Sequence, residues 1–380
     1  MNIKHLRSLA SIGILCFFLG NFQLEAQGCV AIRGFSSCSG SVGSGANLGK
    51  GEMLIGSNFR YFESFRHFRG REEETHRVEE GTEVINNSYF LDLTFNYGIT
   101  DRLYANLVLP FVSHARSSMY EHGGNPPNGL GERHSTNSSG LSDIRIGAGY
   151  WLFKPGEKPF NYAIGAGIKL PTGNYEYTDT FYNQGPDRDI TLDAVVDQSI
   201  QPGDGGYGFN LDFQGYHGLS DSFMLTTTLY YLFNPMTTNG ALTRGGNSEF
   251  SVPDQFAALL GTLYSPNITG LTFYLGGRIE GVPATDLIGS SAGYRRPGYA
   301  ISVDPGINYS FSNFTMSLNV PVAVERNRIQ SYQDKERTRE TGEYRHGDAA
   351  FADYLINFNL TYRFGKKKEM DIHPMNEEIE

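Results

Sequence analysis

Apolar and polar residues alternate along most of this 380-residue chain, in stretches of about a dozen residues. Twelve such stretches run from about Gly51 to Phe364, and the gaps between them are alternately short and long. Strands of about ten residues with this alternation, joined by tight turns at one end and long loops at the other, are typical of outer-membrane β-barrels. The pattern therefore predicts an all-β protein, a closed antiparallel transmembrane barrel of about twelve strands.

The lengths of the gaps predict how the barrel is oriented in the membrane. Short gaps predict periplasmic turns and carry the pairs Thr100-Asp101, Pro155-Gly156, Ser220-Asp221, Asn267-Ile268 and Ser312-Asn313. Long gaps predict extracellular loops over residues 66–83, 115–140, 172–206, 236–254, 284–297 and 327–349. An even number of strands closes the sheet and leaves no edge strand unpaired. Because proline cannot donate to a strand ladder, recurrent prolines predict the outer rim, at Pro110, Pro171, Pro235, Pro283 and Pro321.

Alternation within each strand separates a lipid-facing set from a lumen-facing set. A charge that faces lipid near the bilayer midplane costs about 2–4 kcal/mol, so the polar set is expected to face the lumen. This parity predicts ten ionisable lumen-lining residues: Arg60, Asp92, Arg145, Lys169, Asp212, Arg278, Glu280, Asp304, Glu325 and Arg363. They could form cross-lumen salt bridges that hold the barrel shut, or a polar lining that tunes permeation. The sequence leaves both roles open.

The composition is consistent with the predicted barrel and argues against one class of binding partner. The chain has 46 Gly, 23 Tyr and 26 Phe against one Trp, which suits a curved sheet with aromatic girdles. The net charge of −10 argues against a nucleic-acid partner, which needs a basic face. Seven acidic residues fall in the predicted loop 172–206, where a solvated loop is favoured over a divalent-cation site. A loop of this length and mixed content can fold inward, so it is the candidate gate.

The beginning of the chain predicts export. Lys4 and Arg7 precede the apolar stretch Leu9–Phe22, and Ala26 offers a small-residue cleavage site. Residues 1–26 are therefore expected to be a signal peptide, and the mature protein is expected in the outer membrane of a Gram-negative bacterium. The mature region contains no run of about 18 apolar residues, so no transmembrane helix is expected.

Three further segments follow the predicted signal peptide. Residues 27–50 form a Gly/Ser-rich segment that carries Cys29 and Cys38. In an exported chain a disulfide between these two cysteines is expected, with two free thiols as the alternative. The barrel is expected to occupy residues 51–364, and residues 365–380 form a charged periplasmic tail.

Three motifs connect the chain to a known family: Gly-Ile-Thr-Asp-Arg-Leu at 98–103, Gly-Leu-Ser-Asp-Ile-Arg-Ile-Gly at 140–147 and Gly-Ile-Lys-Leu-Pro-Thr-Gly at 167–173. From about residue 51 to 364 the chain resembles the outer-membrane barrel proteins named for the MetA pathway of phenol degradation. That family is related by architecture to channels for hydrophobic compounds. The resemblance implies a transporter for small, hydrophobic or aromatic solutes. The aromatic end of the last strand, at Phe364, resembles the signal that the barrel assembly machinery reads, and outer-membrane lipid and lipopolysaccharide are the expected surroundings.

Two other functions remain open. A surface-exposed barrel could use its long loops to bind a partner. A lipid-hydrolysing barrel enzyme would need His134, Ser135 and Asn137 to act together, but adjacent residues on a strand point apart. We therefore expect no enzyme activity. The histidines show no metal-binding spacing, so neither a metal nor another cofactor is expected.

Overall fold

The structure, a computed structural model, describes residues 47–365. The predicted signal peptide, Cys29, Cys38 and the charged tail beyond Gly365 lie outside the described residues. The predicted disulfide and signal peptide therefore stay predictions.

The described chain is almost entirely β-structure. Its first half contains β1 (Met53–Arg69), β2 (Glu72–Glu73), α1 (His76–Glu79), β3 (Ile85–Gly98), β4 (Leu103–Ser118), β5 (His134–Leu141), β6 (Arg145–Trp151), β7 (Phe160–Lys169), β8 (Thr178–Gln184), β9 (Ile190–Val195) and a 3₁₀ turn (Gln198–Ile200). Its second half contains β10 (Gly208–Gly218), β11 (Phe223–Phe233), β12 (Thr238–Leu242), β13 (Glu249–Ser251), β14 (Gln255–Tyr264), β15 (Leu271–Val282), β16 (Gly298–Phe311), β17 (Phe314–Asn319), β18 (Val322–Arg328), α2 (Tyr332–Thr341), β19 (Ala349–Ala352) and β20 (Ile356–Phe364).

Twelve antiparallel strands close into a barrel, as the alternation predicts. Nine wall strands are continuous, and three are interrupted: β5 with β6 along β4, β17 with β18 along β16, and β19 with β20 along β1. The ring closes because β1 pairs with β3 on one side and with β20 on the other. Closure leaves no long sheet edge unpaired.

The outer face of the wall is apolar. Ile164, Leu260 and Leu275 are each more than 60% exposed, whereas the alternate positions on the same strands turn inward. An exposed apolar band with a polar interior is the reverse of a water-soluble barrel and matches a wall surrounded by lipid. Separately, no helix among residues 47–365 is long and apolar enough to cross a membrane.

The two ends of the barrel differ as expected. All five predicted tight turns join neighbouring wall strands at one end, here called the turn end. The opposite, loop end carries the long connections, which hold the hairpins β8–β9 and β12–β13 and the helix α2. Two predicted loops are too long, because β1 continues to Arg69 and β5 already begins at His134.

The proline prediction is correct for three positions and wrong for two. Pro171, Pro235 and Pro283 follow the last residues of β7, β11 and β15 at the loop end. Pro110 lies inside β4 instead, opposite the break between β5 and β6, and Pro321 lies in the break between β17 and β18. These two prolines mark interruptions of the ladder within the wall, where a missing N–H is tolerated.

Candidate functional site

Six of the ten predicted lumen residues form one set of buried charges, the lumen charge layer. They come from five wall strands: Arg60, Asp92, Arg145, Arg278, Glu280 and Asp304. Each is less than 10% exposed, and their formal charges sum to zero if all are ionised. Electrostatic contact links Asp92 to both Arg60 and Arg145, and Asp304 to Arg60 and Arg278. The layer therefore extends across the lumen between opposite parts of the wall.

The charges of this layer are loosely paired. Arg278 Nη1 lies 3.7 Å from Glu280 Oε2, and Arg278 Nε lies 3.8 Å from Asp304 Oδ2. Both distances exceed a hydrogen bond. Asp304 accepts a hydrogen bond from Asn319 at 3.2 Å, and Arg60 Nε donates to Asn357 Oδ1 at 3.2 Å. Amide side chains therefore fill part of the space between the charges.

Several buried polar atoms in and beside the layer have no hydrogen-bond partner among residues 47–365. Those of the layer include Asp92 Oδ1, Arg145 Nε and Nη2, and Glu280 Oε2, and Asn357 Nδ2 lies beside it. A buried polar atom without a partner costs about 1–3 kcal/mol, and in folded proteins such atoms are generally satisfied by ordered water. These atoms of the lumen charge layer are therefore available to bond water in the lumen.

The other four predicted lumen residues lie elsewhere. Lys169 pairs with Asp204 near the loop end. Glu325 accepts hydrogen bonds from Arg71 at 3.1 Å and Tyr299 at 3.0 Å. The remaining two form separate polar contacts, Asp212 with Asn210 at 3.5 Å and Arg363 with Glu52 at 2.6 Å.

Aromatic side chains cluster inside the wall toward the turn end. Tyr104, Trp151 and Tyr216 are buried against Ala163, and the Trp151 side chain is wholly inaccessible. Gln214 Nε2 donates to the Tyr104 hydroxyl at 2.7 Å. We call Tyr104, Trp151 and Tyr216 the aromatic floor.

A cavity of about 590 Å³, the mouth cavity, lies inside the loop end. Its aromatic walls include Phe62, Phe90, Phe181, Phe250 and Tyr294. Its charged lining consists of Arg77, Arg116, Glu121, Asp197, Asp204, Arg244, Arg295, Arg296, Arg328, Asp334, Arg337 and Asp348. The mouth cavity therefore combines aromatic surface with seven guanidinium groups and five carboxylates.

Asp197 ties the 172–206 loop to the rest of the mouth. Arg296 donates to both of its carboxylate oxygens at 2.7 Å, and Arg116 Nη2 lies 3.7 Å away. Burial raises the pKa of Asp197, but the charges of Arg116 and Arg296 outweigh it and hold the pKa well below its ordinary value. These three residues, the latch, hold the loop across the mouth.

Sequence reasoning missed the latch because its members lie far apart in the chain. Asp197 was predicted only as one acidic residue of the 172–206 loop, and Arg116 and Arg296 were not singled out. The Arg295-Arg296 pair in one predicted loop and the acidic run in another were the available signal, since opposite charges on facing loops can pair. Arg295 likewise binds Asp286 with two hydrogen bonds, at 2.6 and 2.5 Å.

The two stems of the 172–206 loop touch. A Cβ on Gly173 would lie 2.7 Å from Gly203 Cα, which is closer than real side chains approach. Asp143, in the break between β5 and β6, accepts from the amides of Gly173 and Asp204, each at 3.0 Å. Asp143 therefore closes the loop at its base.

The residues considered for lipid hydrolysis do not meet. Ser135 and Asn137 are exposed on one face of β5, whereas His134 lies on the other face. The His134 ring stacks on Tyr182 at 4.7 Å, and its Nε2 lies 3.6 Å from Glu132. His134 is thus engaged away from Ser135. Within residues 47–365, no group of three or more His, Cys, Asp or Glu side chains is placed to hold a metal ion.

Comparison with known proteins supports the fold. No protein-family profile matches the chain, and no curated protein matches its sequence. The crystal structure of an outer-membrane channel from Pseudomonas putida F1 is similar, with a TM-score of 0.53 at 12% identity over 88% of this chain and 100% of that one. The toluene transporter TodX from P. putida gives a TM-score of 0.41 at 12% identity over 90% and 99%. The first comparison shows a shared outer-membrane barrel fold, and the second score is too low to support an inference.

Proposed function

We propose that this chain forms an outer-membrane channel for small solutes. The observation that carries the proposal is the lumen charge layer, whose buried polar atoms need water inside a closed barrel. Apolar side chains could fill a purely structural core without leaving polar atoms unpaired. We propose instead that water bonds the polar atoms of this layer and that a small solute can exchange contacts with them on its way through the lumen.

The 172–206 loop is the proposed gate of this channel. It lies across the mouth cavity, and the latch holds it through a buried ion pair. Release of the latch would connect the mouth cavity with the extracellular side, and displacement of the aromatic floor would complete the path. The ten residues predicted from parity are proposed as the polar lining of the channel.

The exposed apolar band is proposed to contact outer-membrane lipid and lipopolysaccharide. The loop end would face outward and the turn end would face the periplasm, as loop length indicates. Insertion would depend on the barrel assembly machinery, which would read the aromatic last strand ending at Phe364. Small hydrophobic or aromatic molecules are the proposed solutes, in keeping with the family resemblance.

Planar-bilayer recording tests the channel. Residues 174–202 can be excised and Gly173 joined to Gly203, because the two stems already touch. We expect larger stepwise conductance from this variant than from the intact protein. A matched control removes only the β8–β9 tip, residues 185–189, and keeps Asp197, so its conductance should equal that of the intact protein. Absence of conductance from all three proteins would overturn the channel proposal.

A surface-binding barrel is the second candidate, because the latch holds the 172–206 loop across the mouth. This candidate predicts no conductance even after excision of 174–202. Enzyme activity is tested separately by replacing Ser135 with alanine. Lipid hydrolysis by the purified protein that disappears in Ser135→Ala would contradict the non-enzymatic assignment.

A further inference from the structure

The mouth cavity has more guanidinium groups than its carboxylates neutralise. Five of its arginines pair with acidic side chains: Arg77 with Asp348, Arg116 with Glu121, Arg295 with Asp286, Arg296 with Asp197 and Arg328 with Asp334. Arg244 and Arg337 also line the cavity, but neither has a carboxylate within 4.0 Å among residues 47–365. In a chain of net charge −10, two uncompensated cations at one cavity are a specific feature of that place.

Hydrogen bonds hold Arg244 and the helix that carries Arg337 at the cavity. Arg244 lies between β12 and β13, and its Nη1 donates to Gln184 Oε1 at 2.8 Å. Arg337 lies one turn after Gln333 on α2, and Gln333 Nε2 donates to Ser248 Oγ at 3.1 Å. This last bond joins α2 to the loop that carries Arg244. The two guanidinium groups therefore border the same opening.

Aromatic faces lie beside the cations. The Arg244 guanidinium is 5.2 Å from the centre of the Phe181 ring, and the Arg296 guanidinium is 5.1 Å from that of Tyr294. Tyr294 in turn contacts Phe250 with ring centres 6.0 Å apart. An aromatic face next to a guanidinium group suits a ligand that is both planar and anionic.

We infer that the mouth cavity binds small aromatic carboxylates, with Arg244 and Arg337 contacting the carboxylate and the aromatic lining of the cavity contacting the ring. Guanidinium–carboxylate hydrogen bonds are stronger than neutral ones and favour a planar anion. A volume of about 590 Å³ lies within the usual range of about 300–1,000 Å³ for small-molecule sites. This inference refines the solute class of the proposed channel and rests on it for its biological meaning, while binding itself can be measured without transport.

Fluorine NMR with 4-fluorobenzoate tests the inference on the purified full-length barrel in detergent. We expect saturable line broadening, and affinity at least about tenfold weaker in the double variant Arg244→Gln/Arg337→Gln, since two charge-assisted contacts are lost. Arg339→Gln is the matched control. Arg339 lies on the same helix but pairs with Glu336 and does not line the cavity, so its affinity should stay within about twofold.

Two further probes separate the chemical features. Neutral 4-fluorobenzyl alcohol should bind at least about tenfold more weakly than 4-fluorobenzoate if the charge matters. Trifluoroacetate should also bind weakly, because it lacks a ring that could contact the aromatic lining of the cavity. Equal affinity of the double variant and the intact protein, or no saturable binding of 4-fluorobenzoate, would overturn the inference. Binding without conductance would instead refute the channel alone, and conductance without binding would refute the inference alone.

Discussion

The latch and the lumen charge layer are both sets of buried, oppositely charged side chains, but they differ in how completely their atoms are paired. In the latch, Arg296 donates to both oxygens of Asp197 at 2.7 Å. In the layer, the Arg278 contacts with Glu280 and Asp304 are 3.7 and 3.8 Å, and several polar atoms have no hydrogen-bond partner among residues 47–365. The difference teaches that the partners of a buried charge, more than its burial, indicate whether it holds the structure together or borders water.

The physical reason lies in desolvation. A buried ion recovers its lost hydration only when its hydrogen-bonding atoms meet partners. The latch supplies those partners from the protein, so loss of one member leaves an uncompensated charge. In the lumen charge layer, some of those partners would be water molecules. A neutral substitution there should therefore lower the stability of the fold less, and change the electrostatic potential in the lumen more, than a substitution in the latch.

Loss of the latch carboxylate should have the largest effect. Asp197→Asn leaves Arg116 and Arg296 without their shared counter-charge, so we expect local opening of the 172–206 loop to become easier by about 3 kcal/mol. Hydrogen exchange at the Val196 amide, which bonds Tyr177 at 2.9 Å, should accelerate by about a hundredfold. Asp189→Asn, an exposed position in the same loop, is the control. Equal exchange rates in both variants would show that the latch does not hold the loop closed, and would contradict the contrast drawn between the latch and the lumen charge layer.

Acidification should distinguish two contacts of the same loop. Burial lowers the pKa of His122 to about 4, and His122 Nδ1 accepts the Tyr182 amide at 3.0 Å. Between pH 6.5 and 4 the open form binds more protons than the closed form, so this contact is stable above pH 6.5 and weakens as the pH falls toward 4. The latch should persist over that range, because the pKa of Asp197 lies below it.

Intrinsic-rate-corrected hydrogen exchange of the Tyr182 amide measures this effect. The exchange should quicken below pH 6.5 in the intact protein and lose that dependence in His122→Gln. His76→Gln, at an exposed histidine of α1, should leave the dependence intact. A pH-independent rate in the intact protein would contradict the prediction.

Replacement of one charged side chain of the lumen charge layer by a neutral one should change ion selectivity more than the stability of the fold. In Glu280→Gln we expect the free energy of unfolding to fall by less than about 1 kcal/mol, because the amide can still bond water. Loss of the negative charge leaves Arg278 in excess, so reversal potentials in a salt gradient should shift toward anions. Glu157→Gln at the turn end is the control for a general charge effect. A stability loss as large as that of Asp197→Asn would show that the layer is as structural as the latch.

An exposed ion pair at the same end of the barrel should have the smallest effect. Arg345 and Glu343 lie 2.5 Å apart, but their side chains are 54% and 70% exposed. Solvent screens such a pair, so Glu343→Gln should change stability by less than about 0.5 kcal/mol. Denaturant unfolding in detergent checks this. A larger loss would mean that ion-pair distance alone, rather than burial, accounts for the strength of the latch.

Local periodicity was sufficient to predict the wall. The strand number, the five tight turns and the apolar outer face all follow from side-chain parity and turn residues, which are properties of neighbouring positions. The inward parity of Arg60, Asp92 and Glu280 follows for the same reason. The two misplaced prolines show the limit, since Pro110 lies in a continuous strand opposite an interruption that only the neighbouring strand reveals.

The side-chain contacts at the loop end could not be predicted from local periodicity. Asp197 and Arg296 lie in two separate loops and meet Arg116 near the end of β4. The two loops have no side-chain period that would fix their positions relative to the strand. The sequence also could not show which of the ten parity residues interact, because pairing depends on strand register and tilt. Lys169, for instance, shares its parity with Arg145, yet it pairs with a loop residue.

The contact between Gly173 and Gly203 makes the 172–206 segment a self-contained insertion. The ends of this segment meet, and β7 and β10 pair directly with each other. The distance between these two strands therefore does not depend on how the segment folds. The wall can therefore assemble first and the segment can fold afterwards on the finished barrel. Related chains could exchange whole segments at these two glycines and thereby acquire a new mouth on an unchanged wall.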